Sequence, residues 1–174
     1  MDGLQIHLLV NHIPVIGIPI GLMLAVGGFL FKWEAVRRTG VVVFLATGLF
    51  VFPANFTGED AEDIVEDNAA WVSHDQIHEH EEQAETAMNI SVAGLALALL
   101  HLFNWPAKQS IRNIIFGAFI VVGIVASTLI GLAAHEGGKI MRPHLGGAVV
   151  APPTGAETNT TPPAGQQQEA EDDD

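Results

Sequence analysis

Histidine is the residue type in this chain best placed to do chemistry: there are eight, and cysteine and tyrosine are both absent. Without cysteine no disulfide, thiolate site or iron–sulfur cluster can form. His, Glu, Asp, Ser and Thr remain. Helical phase sorts the histidines. His80 falls on one stripe with Ala84, Ala87, Ser91 and Gly94, a run of small residues that predicts a ring pointing into a helix bundle. His78 lines up with Glu82, Glu85 and Asn89, a face expected to be solvated. His135 stands above Gly131, Thr128 and Ser127, read as another packing stripe, and His12 lies beside Asn11 in the first turns of an apolar run. The reading therefore gathers His12, His80 and His135 into one inward-facing cluster, with Glu81, Glu136, Glu62 and Glu66 as nearby carboxylates. His7 and His144 read as interfacial, and His101, near Trp105, as the polar end of a helix.

Neutral imidazole ligates haem iron, copper and zinc. A b-type haem needs two axial ligands on different helices at equal depth, and His12 with His80 or His135 meets that topological need. Glu81 and Glu136 would then orient the imidazoles through their second nitrogens, or join a copper or zinc site directly. The competing reading is structural: the same histidines bond to one another, to Asn11 and to the carboxylates, and tie helices together. Both readings stay open at this stage. His74-Asp75-Gln76-Ile77-His78 comes close to the zinc-protease pattern, but Asp75 replaces the Glu that would act as base and no third ligand follows. A solvated acidic helix start explains it better. No nucleophile–base pair, phosphate loop or nucleotide fingerprint can be placed, so enzyme activity is not indicated.

Four apolar segments must position these groups, at about 6–31, 41–56, 84–103 and 114–134. A bilayer core needs about 20 apolar residues of helix, each rising about 1.5 Å. Pro14 and Pro19 lie inside the first segment, which a membrane helix accepts better than a soluble one. The N-terminus lacks the basic region of a cleavable signal, and the first segment reads as a retained membrane helix. The expected fold is all-α: an integral membrane four-helix bundle over residues 1–148, with a short helical outer loop at 57–83 and a disordered acidic tail at 149–174. Lys32, Arg37 and Arg38 follow the first segment, and Lys108 and Arg112 the third, so that side is expected to face the cytoplasm of a bacterial inner membrane, with both termini outside. Trp33 and Trp105 read as interface anchors, with Trp71 in the outer loop. Thr57 with Asp60, and Ser73 with Gln76, read as capping boxes. They predict a short helix from Gly58 to Asp67 and another running from His74 into the third segment. Gly17 and Gly21 form a small-xxx-small pair on the first helix, while Gly137-Gly138 reads as a helix cap.

The net charge of −13 makes nucleic acid an unsuitable partner. The lipid bilayer is the expected partner, and the acidic outer face would suit a basic periplasmic cytochrome or respiratory subunit.

Four pieces in order carry a family resemblance: Asn11-His12-Ile13-Pro14; Thr57-Gly58 with Ala61-Glu62 and Val65-Glu66; Ile77 with His80-Glu81 and Ala84; and His135-Glu136-Gly137-Gly138. Over residues 5 to 140 the chain resembles a bacterial domain-of-unknown-function family of four-helix membrane proteins. The family's usual ending near Ile-Arg-His-Pro-Glu is Ile140-Met141-Arg142-Pro143-His144 here. The resemblance implies a four-helix fold, and relatives look like companions of respiratory and cytochrome c systems. The leading expectation is therefore an inner-membrane subunit of a redox system binding haem b, with a structural or accessory role, or a copper or zinc site, as alternatives.

Overall fold

Proline and glycine positions set where the helices begin, break and touch. The computed structural model describes residues 3–68, 72–103 and 108–141, and every described element is a helix. Trp71, Trp105, Arg142, His144 and the acidic tail lie outside the described residues. Helix α1 (Gly3–Leu30) carries Pro14 and Pro19 in its interior. Its end is a Schellman motif: Trp33 N–H bonds to Gly28 O at 2.8 Å and Lys32 N–H to Phe29 O at 3.2 Å. The left-handed position of that motif is filled by Lys32, at φ 59°, rather than by glycine.

Helix α2 (Glu34–Gly48) starts directly afterwards, with Glu34 in its first turn pairing to Arg37 at 2.5 Å and Arg38 at 3.4 Å. It stops at a turn over Leu49 and Phe50, and α3 (Val51–Asn68) begins. Pro53 explains the break, since it has no N–H to give the Leu49 carbonyl and sits instead in the first turn of the new helix. Together α2 and α3 make one apolar span from Glu34 to Glu66. The expected second segment at 41–56 was thus too short at both ends, and no loop begins at Thr57. The Thr57 capping box does not form: its hydroxyl donates to Pro53 O one turn back at 2.8 Å, because a helix already running through leaves no orphan amides to cap.

The Ser73 box does form. Gln76 N–H donates to Ser73 Oγ and Ser73 N–H to Gln76 Oε1, both at 3.3 Å, and α4 (His74–Leu102) runs on without interruption. Helix α5 (Gln109–Ile140) continues past the expected end near 134 and through Gly137-Gly138. That pair is helix interior, not a cap, and the Glu136–Lys139 ion pair at 2.7 Å spans it.

Four spans are long and apolar enough to cross a membrane. Each packs on its sequence neighbours, and α1 packs on α5, so the ring closes. The buried residues repeat in sevens. On α5 they are Phe116, Phe119, Gly123, Ala126, Ile130, Ala133 and Ile140; on α4, Ile77, Ala87, Ser91, Gly94, Ala98 and His101 follow the repeat, with Leu95 buried beside it. That period keeps one face of each helix on the bundle axis. At mid-bundle Phe44 meets Phe119 edge-on, 4.9 Å between centroids, with Ile18, Val41 and Ser91 fully buried around them. Helices α1 and α2 touch backbone to backbone: a Cβ on Gly21 would lie 2.5 Å from the Phe44 nitrogen, and Cβ atoms on Gly28 and Gly40 would strike the backbones of Arg37 and Ala25. The expected Gly17–Gly21 pair is part of this seam, with Gly17 against Thr47. Outward faces carry the bulk instead, including Leu9, Ile16, Met23 and Leu30 on α1 and Ile114, Val121, Ile124 and Leu132 on α5.

Candidate functional site

At the end of the bundle where the chain starts, residues of α1, α3, α4 and α5 form a layer that contains two imidazoles. His80 lies on the inward stripe of α4, as its phase predicts. Its ring packs on Gly137 of α5, where a Cβ would come within 3.0 Å of Cε1. Its Nδ1 is buried and has no hydrogen-bond partner within the protein, and the Ala133 carbonyl stands near the ring. The second imidazole is His7 of α1. Its Nδ1 donates to Ala54 O on α3 at 3.0 Å and approaches Thr57 Oγ1 at 3.3 Å. A carbonyl only accepts, so Nδ1 carries the proton and Nε2 of the neutral ring is left as an acceptor. Gly58 of α3 faces the His7 ring as Gly137 faces His80. His7 and the Glu136 carboxylate both lie within electrostatic reach of His80.

One turn further out, Val65, Ile77 and Ile140 form a small apolar cluster with Leu4 and Val72 packed against it. The imidazole layer is therefore held between this cluster and the main core.

The residues assigned from sequence separate instead of converging. His12 is exposed, on the outward face of α1 that also carries Leu9, Ile16 and Met23, and its Nδ1 turns back to the Leu8 carbonyl of its own helix. His135 is exposed beside Leu132, and its supposed packing stripe is not one: Gly131 has open space around it and Thr128 is exposed. The stripe that packs on α5 is one step round, through Ala126, Ile130, Ala133 and Gly137. Glu81 is exposed and 3.6 Å from His78. Glu136 is bound to Lys139 at 2.7 and 2.9 Å, and Glu66 to His74 at 2.7 Å. Glu62 is half-buried on α3. His12 and His135 are thus exposed while His80 turns inward, and among the described residues no group of three or more His, Asp or Glu side chains is arranged to hold a metal ion. His7, read from sequence as merely interfacial, takes the place given to His12. The signal that could have found it is its sevenfold spacing from Pro14, Gly21 and Gly28, all buried.

His101 lies in the last turn of α4, at the polar helix end expected of it, but it is buried. It is 8% exposed, with its ring 4.7 Å from that of Phe116, and the Arg37 guanidinium lies over the same Phe116 ring at 5.4 Å.

No family model, no curated protein and no solved structure matches the chain.

Proposed function

We propose that this chain is a four-span inner-membrane protein of bacterial type, serving as a non-catalytic accessory subunit whose imidazole layer ties its helix ends together. One observation carries the membrane reading: large apolar side chains stand exposed along the four spans as well as inside them. Small residues line the α1–α2 seam, while leucine, isoleucine, methionine and phenylalanine side chains stand exposed along the spans. Water would penalise so large an exposed apolar surface, and lipid tails would not. The basic residues Lys32, Arg37, Arg38, Lys108 and Arg112 share one end, which the positive-inside rule places in the cytoplasm. Extraction tests this directly: the protein should stay with membranes in alkaline carbonate and come out only in detergent. A phosphatase reporter inserted after Asn68 should be active, and one inserted after Phe103 silent. Release without detergent, or the reverse reporter pattern, would overturn the corresponding half of the proposal.

The accessory role is supported by what the imidazoles touch. His7 joins α1 to α3 by a hydrogen bond across 47 residues, and His80 fills the space left by Gly137. A redox or metal-carrying subunit is the second reading, favoured by one specific observation: the buried, unpartnered Nδ1 of His80 on a different helix from His7 and at a similar level. Copper or zinc would use His80 Nδ1 and His7 Nε2, whereas a haem would also require the His80 ring to leave Gly137. A periplasmic cytochrome would meet Glu59, Asp60, Asp63 and Glu66 on α3. Elemental analysis and an oxidised-minus-reduced spectrum of the purified protein separate the readings. A stoichiometric metal or a pyridine-haemochrome signal would replace the accessory role with the second reading.

A further inference from the structure

The opposite end of the bundle holds a different polar site. Arg37 and Arg38 of α2, His101 of α4 and Arg112 of α5 line a small pocket with Glu34. Its volume is about 10 Å³, room for about one water-sized group. Three guanidinium groups stand against one carboxylate, which is already shared between Arg37 and Arg38. Three buried nitrogens of the lining have no hydrogen-bond partner: Arg37 Nε, Arg112 Nε and His101 Nδ1. Burying guanidinium donors without acceptors is costly, and an arginine is charged at every accessible pH. The site is also braced, because Phe116 packs on the His101 ring and lies under the Arg37 guanidinium. An excess of fixed positive charge with unfilled donors from three helices suits a tetrahedral oxyanion, which takes several charge-assisted hydrogen bonds at once.

We propose that the mouth of this pocket binds a phosphate group, one oxygen entering the water-sized space and the rest lying against the arginines, supplied by the headgroup of an anionic phospholipid in the leaflet on the basic side. Basic pockets between membrane helices on that side recognise lipid phosphates, and exposed Trp33 and Phe31, 5.4 Å apart, mark the adjoining helix ends as an interfacial level. The lipid source rests on the membrane reading above; phosphate chemistry at the pocket does not.

The test uses the full chain purified in mild detergent. It is titrated separately with phosphatidylglycerol, phosphatidylcholine and inorganic phosphate, and read by native mass spectrometry and thermal unfolding. Phosphatidylglycerol should be retained in preference to phosphatidylcholine. Arg112→Gln should weaken that retention about tenfold, the loss of one charged hydrogen bond. Arg38→Gln, at a side chain 56% exposed, gives a second variant that the fold tolerates and should also weaken it. Lys139→Gln, at the far end, should leave retention unchanged. Stabilisation by inorganic phosphate, lost in the same variants, supports the phosphate site and assigns a soluble ion as a sufficient occupant; a response to the lipid alone assigns the headgroup. Equal retention of both lipids with no response to phosphate, or a Lys139→Gln effect as large as that of Arg112→Gln, overturns the proposal. Failure of carbonate retention with phosphate binding intact would sink the membrane reading alone.

Discussion

The two ends of α4 carry the same residue on the same stripe, and the structure treats them differently. His80 and His101 are three heptads apart, about 32 Å of helix, and both rings turn toward the bundle. At the first end the neighbours are a second imidazole, two glycines and an apolar cluster. At the other they are a phenylalanine ring and three arginines. The first environment pairs its nearest charges, Glu136 with Lys139, and leaves the His80 Nδ1 without a partner. The second brings together more charge than it neutralises, and so points outside the chain. Identity and phase of a residue thus settle that it is inside; only its neighbours on other helices settle what it is for.

The contrast is sharpest in how tightly each end is closed, and substitution of glycine measures it. Gly28→Leu, where α1 meets the α2 backbone at Arg37 near the arginine end, should abolish the bundle or cost about 3 kcal/mol or more, since two backbones must separate. Loss of the monodisperse species in detergent, or a steep fall in unfolding temperature, is the readout, and a well-folded Gly28→Leu would mean that the α1–α2 seam is not what closes that end. His7→Ala should come next, at about 1–2 kcal/mol, because it leaves a cross-helix bond unmade. His80→Leu separates packing from ligation: with only packing at stake it should be near neutral, within about 1 kcal/mol, since the unpartnered nitrogen is removed along with the ring. A larger loss, or disappearance of a bound metal, would make the histidine end the binding end and reverse the comparison. Gly137→Ala should be milder than Gly28→Leu, about 1 kcal/mol, because the clash is with an imidazole edge that can shift and not with backbone. In the opposite direction, Lys32→Gly should raise stability by about 0.5–1 kcal/mol by relieving the left-handed position, visible as a small upward shift in unfolding temperature.

The sequence made α4 legible and α1 not, for a physical reason. On α4 small residues alternate with charged and bulky ones, so Ala84, Ala87, Ser91 and Gly94 mark one face and place His80 on it. The Ser73–Gln76 box likewise marked the start of that helix. On α1 nearly every position is apolar, so composition does not distinguish the lipid face from the packed one. His12, beside the polar Asn11, therefore reads as inward-facing, although the packed face is the one that runs in sevens from His7 through Pro14, Gly21 and Gly28. The α5 stripe reads one step out of phase, because Gly131 and Thr128 are small yet face outward, whereas the true contacts include the large rings of Phe116 and Phe119. The arginine pocket could not be read at all, since it joins residues from three helices far apart in the chain. Hydropathy also hid the length of α3, whose polar second half continues a helix that the apolar window had ended at Phe56.

Val65, Ile77 and Ile140 sit one turn beyond the two imidazoles. Among the described residues, Val65, Ile77 and Ile140 with Leu4 and Val72 stand between the helix tips and the His80 ring. Traffic to the rings is then timed by how often the helix tips part, a local fraying event, and not by the chemistry of the rings themselves. Deuterium uptake at the two histidines should accordingly follow the opening of the tips and quicken when Ile140 is trimmed to alanine.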